Sequence, residues 1–346
     1  MITRYGASRD ELQNLLLNEP RYRVDQVWKG LYTELNAPED MTALPKALRA
    51  QLVDLLPNSL TLVEEVISDD DTTIKFLWQL DGGSRIETVL MIYPDRATVC
   101  VSTQAGCAMA CGFCATGQAG FTRHLTAGEI VEQVVRASQR AKAMDRRVSN
   151  VVYMGMGEPL ANEEPVWESI VRLHEDVGLS ARHLTVSTVG IIPGINRLAS
   201  RPLPVNLAVS LHAANDNLRD ALVPINRRYP IKALMEACNG FLESKNRRLT
   251  FEWALIDGVN DRPSDAIELA QICRSFRVPA HVNLIPLNPT PGYEVRGSSR
   301  NQVQAFCDQL VGMGANATIR RNRGTDIAAA CGQLAAGQPV QISRSK

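Results

Sequence analysis

The chain has no apolar run long enough to cross a bilayer. Its opening residues, Met-Ile-Thr-Arg-Tyr-Gly-Ala-Ser-Arg-Asp, hold no apolar signal core. Eight cysteines in 346 residues are too sparse for a disulfide scaffold, so a reducing cytoplasm is the expected setting. Net charge is absent too, with 37 basic side chains balancing 37 acidic ones, which taken alone argues against a nucleic-acid partner. The distribution is uneven, however: residues 1–70 carry 7 basic and 12 acidic side chains. Beyond them basic residues gather as Arg136, Arg140, Lys142, Arg146 and Arg147; Arg227 and Arg228; Lys245, Arg247 and Arg248; and Arg320, Arg321 and Arg323. Such groups could line a phosphate track, although a solvated helix end is the commoner explanation of any single one. An apolar fraction of 45% supports a substantial core, and the length suits one large α/β domain with a small appendage.

Against these absences stands Cys107-x-x-x-Cys111-x-x-Cys114, in the run Gly106-Cys-Ala-Met-Ala-Cys-Gly-Phe-Cys. Three thiolates are too few for a closed four-ligand site. They can hold three irons of a cubic 4Fe–4S cluster and leave the fourth iron open, where a cofactor can coordinate and receive an electron. Gly106 and Gly112 let the loop fold tightly around an inorganic core, and Phe113 can shield it from water. The alternatives are a zinc site completed by His124, or three packed cysteines. Zinc favours paired short spacings with a second pair further on, and the sequence has no second pair, so the cluster is preferred.

Residues 1–55 read as small helices, with Leu12, Leu15, Leu16, Val24, Val27, Trp28, Leu31 and Tyr32 at helical spacing. Strand-like runs follow at 60–67, 74–80 and 85–92, the last two joined as a hairpin across Asp81-Gly82-Gly83. A buried strand at 97–103 leads directly into the cysteine loop, and Thr126-Ala-Gly-Glu129 is a capping box opening a helix. Strands near 149–155, 182–187, 204–210, 248–256, 280–285 and 316–320 then alternate with helices near 163–177, 231–245, 264–276, 299–313 and 325–335. Repeated β–α units imply a parallel sheet, and fewer than eight units favour an open or partial barrel. The expected divisions are a helical segment at 1–58, a β-hairpin extension at 59–96, the barrel at 97–335 and a tail at 336–346.

The polar motifs follow strand ends, where parallel α/β folds bind ligands. They are the cysteine loop, Gly155-Met-Gly-Glu-Pro159, Ser187-Thr-Val-Gly190, Ser210-Leu-His212 and Asn288-Pro-Thr-Pro-Gly292. In the second, glycines permit close backbone approach and Glu158 could receive an ammonium group. His212 is by itself as well explained by a structural role. Asn288, held extended by Pro289, could point its amide at a base or ribose, or could serve the turn alone. Cys331, followed by Gly332 among alanines, suggests an accessible thiol, though burial is the commoner fate of a cysteine. Alternation could aim Cys100 into the barrel lumen. Cys238, Cys273 and Cys307 are assigned to packing. Glu87 is either an exposed alternate residue or a general base at the mouth.

Taken together, these motifs resemble a known family. Gly106–Cys114 is similar to the cluster motif of the radical S-adenosylmethionine (SAM) enzymes. The set Cys100-Val-Ser-Thr-Gln-Ala-Gly-Cys107, Met154-Gly-Met-Gly-Glu-Pro-Leu160, Ser210-Leu-His-Ala213, Val223-Pro-Ile-Asn226, Asn283-Leu-Ile-Pro286 and Ala330-Cys-Gly-Gln-Leu334 resembles the RlmN/Cfr family of RNA adenine methyltransferases. The match runs from about Tyr22 to about Leu334. Pro159 and Asn288-Pro-Thr-Pro-Gly292 are similar to the branch that methylates carbon 2 of adenine rather than carbon 8. The resemblance implies a partial (βα)6-type barrel, a 4Fe–4S cluster on Cys107, Cys111 and Cys114, and two SAM molecules per turnover. It implies SAM contacts at Gly157, Glu158, Ser187, Ser210, Leu211, His212 and Asn288. Cys331 matches the cysteine that takes a methyl group from one SAM; a second SAM yields the radical that activates that methyl for addition to adenine. Cys100 matches the thiol that resolves the adduct through a transient Cys100–Cys331 disulfide, and Glu87 the proton acceptor. The implied partners are 23S rRNA at the peptidyl-transferase centre, in many members also tRNA beside the anticodon, and an electron donor such as flavodoxin or ferredoxin. The expected protein is a cytoplasmic monomer that uses no membrane. The rival expectations are a carbon-8 methyltransferase and a non-catalytic iron–sulfur module that binds RNA.

Overall fold

A computed structural model of the chain describes residues 2–278, 280–288 and 295–336. The first helices are α1 (Arg9–Leu15), α2 (Tyr22–Tyr32) and α3 (Lys46–Leu55). A capping box between Ser8 and Glu11 starts α1. These helices bury Leu12, Val27, Leu31, Leu48 and Leu52 in a core continuous with that of the barrel. Polar contacts add to that junction, with Trp28 Nε1 donating to Asp176 at 2.8 Å and the Arg172 guanidinium to the Tyr5 carbonyl at 2.6 Å.

Strands β1 (Leu60–Ile67), β2 (Thr73–Leu80) and β3 (Arg85–Ile92) form an antiparallel meander that joins β4 (Ala97–Cys100). Here the expected strand at 97–103 is corrected. The barrel strand stops at Cys100, and β5 (Gln104–Gly106) instead pairs antiparallel with β6 (Phe121–His124), beyond the short helix α4 (Ala115–Gln118). This ribbon closes the base of the cysteine loop, and Cys107 N–H donates to the Gly120 carbonyl at 2.7 Å. Gly106 has φ +76°, and a Cβ there would stand 1.9 Å from the Gly120 oxygen, so the ribbon requires glycine at this position.

The barrel continues through α5 (Ala127–Lys142), β7 (Val148–Tyr153), α6 (Glu163–Glu175), β8 (Leu184–Thr188), α7 (Ile192–Ser200) and β9 (Asn206–Ser210). It is completed by α8 (Asp216–Leu222), α9 (Ile231–Lys245), β10 (Leu249–Leu255), α10 (Pro263–Arg274), β11 (His281–Pro286), α11 (Arg300–Gly312) and β12 (Asn316–Ile319). The sheet order is β1-β2-β3-β4-β7-β8-β9-β10-β11-β12, parallel from β4 onward. β4 and β12 are not paired, so the barrel is partial, as its count of units implied. Thr126 caps α5, its hydroxyl accepting from Glu129 N–H while the Glu129 carboxylate accepts from Thr126 N–H, as the capping box predicted. Helices α7 and α8 were not anticipated.

A second correction concerns 325–335, where alanines predicted a helix and the chain forms turns instead. Gly324, Ala328 and Gly332 take positive φ, and several backbone groups bond to other elements rather than along a helix. Ala335 and Ala336 N–H donate to Glu87 at 2.9 and 3.0 Å, and the Gly332 and Leu334 carbonyls accept from Ala115 N–H and the Thr116 hydroxyl. Tertiary bonds outweigh intrinsic propensity here.

Candidate active site

Strand alternation builds the site. Residues Cys100 on β4, Ser187 on β8, Ser210 on β9, Glu252 and Ala254 on β10 and Ile285 on β11 face the lumen near the carboxyl ends of their strands. Above them Cys107, Cys111 and Cys114 line an open cavity of about 990 Å³ shared with Gly157, Glu158, His212, Asn288 and Cys331. Ten of the predicted site residues therefore meet at one cavity. Among the predicted SAM contacts Leu211 is the partial exception: its side chain is buried in the core, and its carbonyl accepts from Arg219 Nε at 3.1 Å.

The donor set fits an iron–sulfur cluster. Burial pushes the Cys107 thiol up to about 12 and raises Cys111 and Cys114; the neighbouring Cys114 raises Cys107 and Cys111 further, and Cys107 also raises Cys111. Three thiolates gathered in this setting call for cationic iron. Among the described residues no three His, Cys, Asp or Glu side chains form a single-ion site, and each cysteine of a cluster binds its own iron. His124 lies outside the cavity, with Nδ1 3.1 Å from Gln104 Nε2, so the zinc arrangement completed by His124 is not formed.

The glycines of the Gly155–Pro159 turn serve contacts within the chain. A Cβ on Gly155 would lie 2.7 Å from the Val101 carbonyl, and one on Gly157, at φ +100°, 2.5 Å from Gln104 Cβ. This seats Glu158 beneath the cysteine loop, where burial pushes its carboxyl up to about 7. The carboxylate accepts from Leu160 and Val189 N–H at 3.0 and 2.9 Å, which leaves capacity for further donors. His212, at φ +58°, accepts from Ala254 N–H at Nδ1 (3.0 Å) and packs edge-on against Phe113. Burial, then the nearby Arg219 charge, lowers it to about 3, so the ring is neutral with its proton on Nε2. Asn288 Nδ2 donates to the Cys331 carbonyl at 3.2 Å, and its oxygen accepts from Asn322 at 2.7 Å. The rest of that motif, 289–292, lies outside the described residues, as do residues 337–346 of the expected tail.

Cys100 and Cys331 line a second chamber of about 1120 Å³, with Tyr93, Met154 and Arg320. Burial, reinforced by Cys331, pushes the Cys100 thiol up to about 12. All eight cysteines are free thiols, so the Cys100–Cys331 disulfide is not formed in this state. Glu87 is buried but lines neither cavity. Its carboxylate binds the Ala335 and Ala336 amides and pairs with Lys75 Nζ at 3.1 Å.

Three further residues were missed. Arg320, placed by sequence in a surface cluster, lines both cavities. Cys331 first, then Glu252, hold its guanidinium above the ordinary range. Glu252 Oε2 stands 3.9 Å from Arg320, and Asn283 donates to its other oxygen at 2.9 Å. A carboxylate at a lumen-facing position of the apolar run Leu249–Leu255 was the available signal. Arg219, fully buried and lowered to about 10 by burial, donates to the Val189, Ser210 and Leu211 carbonyls and to Asn226. It thereby ties together two of the loops that rim the cavity.

A partial (βα)6 barrel with three cysteines on the loop beyond its first parallel strand defines a radical SAM enzyme. A family model described as the Radical SAM superfamily matches residues 101–270. The chain is similar to a crystal structure of a radical SAM methyltransferase from Sphaerobacter thermophilus, with TM-score 0.93 and 50% identity. That match covers 97% of this chain and 100% of the other. A relative from Chloroflexus aurantiacus named "Probable dual-specificity RNA methyltransferase RlmN" is 48% identical over 98% of this chain and 94% of its own. A relative of the same name from Salinispora tropica is 50% identical over 93% and 89%. The chain belongs to the RlmN family.

Proposed function

We propose that the protein is an RNA methyltransferase that places a methyl group on carbon 2 of an unpaired adenine, in 23S rRNA and in tRNA, through a methyl carried on Cys331. The observation that best supports this reading is the meeting of two non-ligand cysteines, Cys331 and Cys100, at one chamber beside the cysteine loop. A direct electrophilic methyl transfer would fail at adenine carbon 2, which is not nucleophilic. Radical addition avoids that requirement.

In this reading Cys107, Cys111 and Cys114 hold the cluster, and Gly157, Glu158, Ser187, Ser210, the Leu211 backbone, His212 and Asn288 form the SAM side of the cavity. When bound, the cluster supplies an electron to SAM and so a radical able to remove hydrogen from a methyl group. Cys331 carries that methyl, and Asn288 fixes the backbone at which it is offered. After the carbon joins adenine, the Cys100 thiolate attacks the Cys331 sulfur. Once the adduct has given up the carbon-2 proton and its unpaired electron, the latter to the electron carrier, the S–S bond forms as the sulfur–carbon bond breaks; the carbon keeps that bonding pair and takes a proton to become the product methyl. Arg320, facing both sulfurs, favours the thiolate. Glu87 anchors the Cys331 segment in this state, and to accept a proton from adenine its carboxylate must first release Ala335 and Ala336.

The test is to measure 2-methyladenosine by mass spectrometry in rRNA and tRNA, separately, from cells with and without the gene. Its loss from rRNA on deletion is expected. Loss of 8-methyladenosine alone, or of neither nucleoside, overturns the proposal.

A further inference from the structure

The lower half of the barrel lumen has no role in the chemistry above, yet it is open and polar. Two positions before the lumen-facing Cys100, Ser187, Glu252 and Ile285 stand Thr98, Thr185, Thr250 and Asn283, joined by Asn150 and Asn206. Closed (β/α)8 barrels fill this layer with branched aliphatic side chains. Here three threonines and three asparagines surround a cavity of about 1290 Å³. It is continuous with the chemistry: Arg320 and Met154 line this cavity, the cofactor cavity and the Cys100–Cys331 chamber alike.

Its mouth carries Arg182, Arg247 and Arg248, on the loops that enter β8 and β10. Arg247 Nη2 donates to Asn206 Oδ1 at 2.9 Å, while its Nε is buried without a hydrogen-bond partner. Burial and the neighbouring charges of Arg182 and Arg248 all disfavour its own charge. Among the described lining residues the one carboxylate, Glu252, lies deeper in the lumen and faces Arg320. Three guanidiniums thus converge with no counter-charge of their own, beside a polar passage. Tyr93, which also lines the cavity, has Arg96 and Arg323 each 4.3 Å from its ring, Arg96 being paired with Asp95 at 3.0 Å. Cationic groups interleaved with an aromatic ring suit a polynucleotide, whose phosphates repeat and whose bases stack.

We infer that the lower lumen is the RNA entry site. Arg182, Arg247 and Arg248 hold backbone phosphates of a single-stranded segment, and the unstacked target adenosine passes upward among the threonines and asparagines to Cys331. This rests on the RNA methyltransferase reading above and adds the path by which the substrate arrives.

The test compares the reconstituted protein with its Arg182→Ala/Arg247→Ala/Arg248→Ala variant. The probe is a fluorescent RNA hairpin with an unpaired adenosine in its loop, titrated over a series of salt concentrations. Removing three phosphate contacts should lower the slope of log affinity against log salt by about 2 and weaken binding about tenfold or more at moderate salt. The cluster's visible absorbance serves as the check that the variant is folded. A charge-matched control, Lys232→Ala/Arg274→Ala/Arg300→Ala, should bind within about twofold of wild type. Equal binding by the rim variant, or an equal loss in the control, overturns the proposal. Displacement of the hairpin from wild type by excess AMP would assign the rim to a mononucleotide and overturn it too. If wild type leaves RNA unmethylated, the functional reading itself fails. If wild type methylates RNA while the rim variant binds normally, only the entry site fails.

Discussion

Cys100 and Cys331 face one chamber but are held in opposite ways. Cys100 is on β4, registered against Val89 of β3 and Val152 of β7, and the flanking Val99 and Val101 are fully buried. Cys331 is in no helix or strand. A few bonds tie its segment to Asn288, Ala115, Thr116 and Glu87. A sulfur that must first meet SAM and then RNA needs a support that can shift between two partners. A sulfur that only receives the finished adduct does not. Under the proposed function, this contrast suits Cys331 to the part of carrier and Cys100 to that of resolver.

The largest effect should come from the carrier. Cys331→Ala should bring RNA methylation, read by mass spectrometry, to the level of a no-enzyme control while leaving the cluster's visible absorbance intact. Retained methylation would remove the distinction between the two cysteines and show that the methyl group does not travel on Cys331. Cys100→Ala should instead permit one addition and then stall, leaving a covalent protein–RNA adduct on a denaturing gel. In wild type the Cys100 thiol, pushed up to about 12, is mostly protonated at neutral pH. The rate of adduct resolution should therefore rise about tenfold per pH unit between pH 7 and 9, following the thiolate fraction. A flat profile would show that another group takes the proton before the attack.

The same contrast explains what could be read from sequence. β1 to β4 and β7 to β12 were legible because alternating or continuous apolar runs end in turn residues, and a register error would bury polar side chains. The cysteine loop was legible because cluster ligation depends on short spacing. The Cys331 segment was misread as helical because alanine favours helix wherever nothing competes, and its competitors are Glu87, Ala115 and Thr116, distant in sequence. Arg219 and Arg320 were illegible for a related reason. An arginine in a sequence is normally solvated, and only the assembled barrel shows one bound to carbonyls and the other facing two thiols.

Glu87 offers a way to sharpen the contrast by loosening the carrier alone. Hydrogen bonds to a charged group are worth roughly 1.5–3 kcal/mol. Glu87→Gln, which weakens two of them, should raise the rate of proteolytic cleavage within 320–336 about tenfold or more. Lys75→Met removes the ion pair while keeping both amide bonds, so its effect should be smaller. Equal cleavage in Glu87→Gln and wild type would mean that the other ties suffice.

The smallest effect concerns Glu158 and His212, which share the cofactor cavity and carry opposite pH signs. Glu158 is raised from 4.5 to about 7, so its contribution to stability is full below pH 4.5 and is lost as pH rises through 7. His212 is lowered from 6.5 to about 3, so its contribution is present above pH 6.5 and is lost as pH falls toward 3. Between pH 4.5 and 6.5 one group binds a proton on folding and the other releases one, and the two slopes cancel. Wild-type stability to urea should therefore be nearly flat with respect to these groups across that window. Glu158→Gln should unmask the histidine, and stability should then fall by about 1.4 kcal/mol per pH unit on acidification. His212→Gln should show the opposite slope, because the carboxyl's preference for its proton then acts alone. Parallel profiles for the two variants would mean that neither group is held away from its ordinary range, and that the cavity is wetter than the burial of these side chains implies.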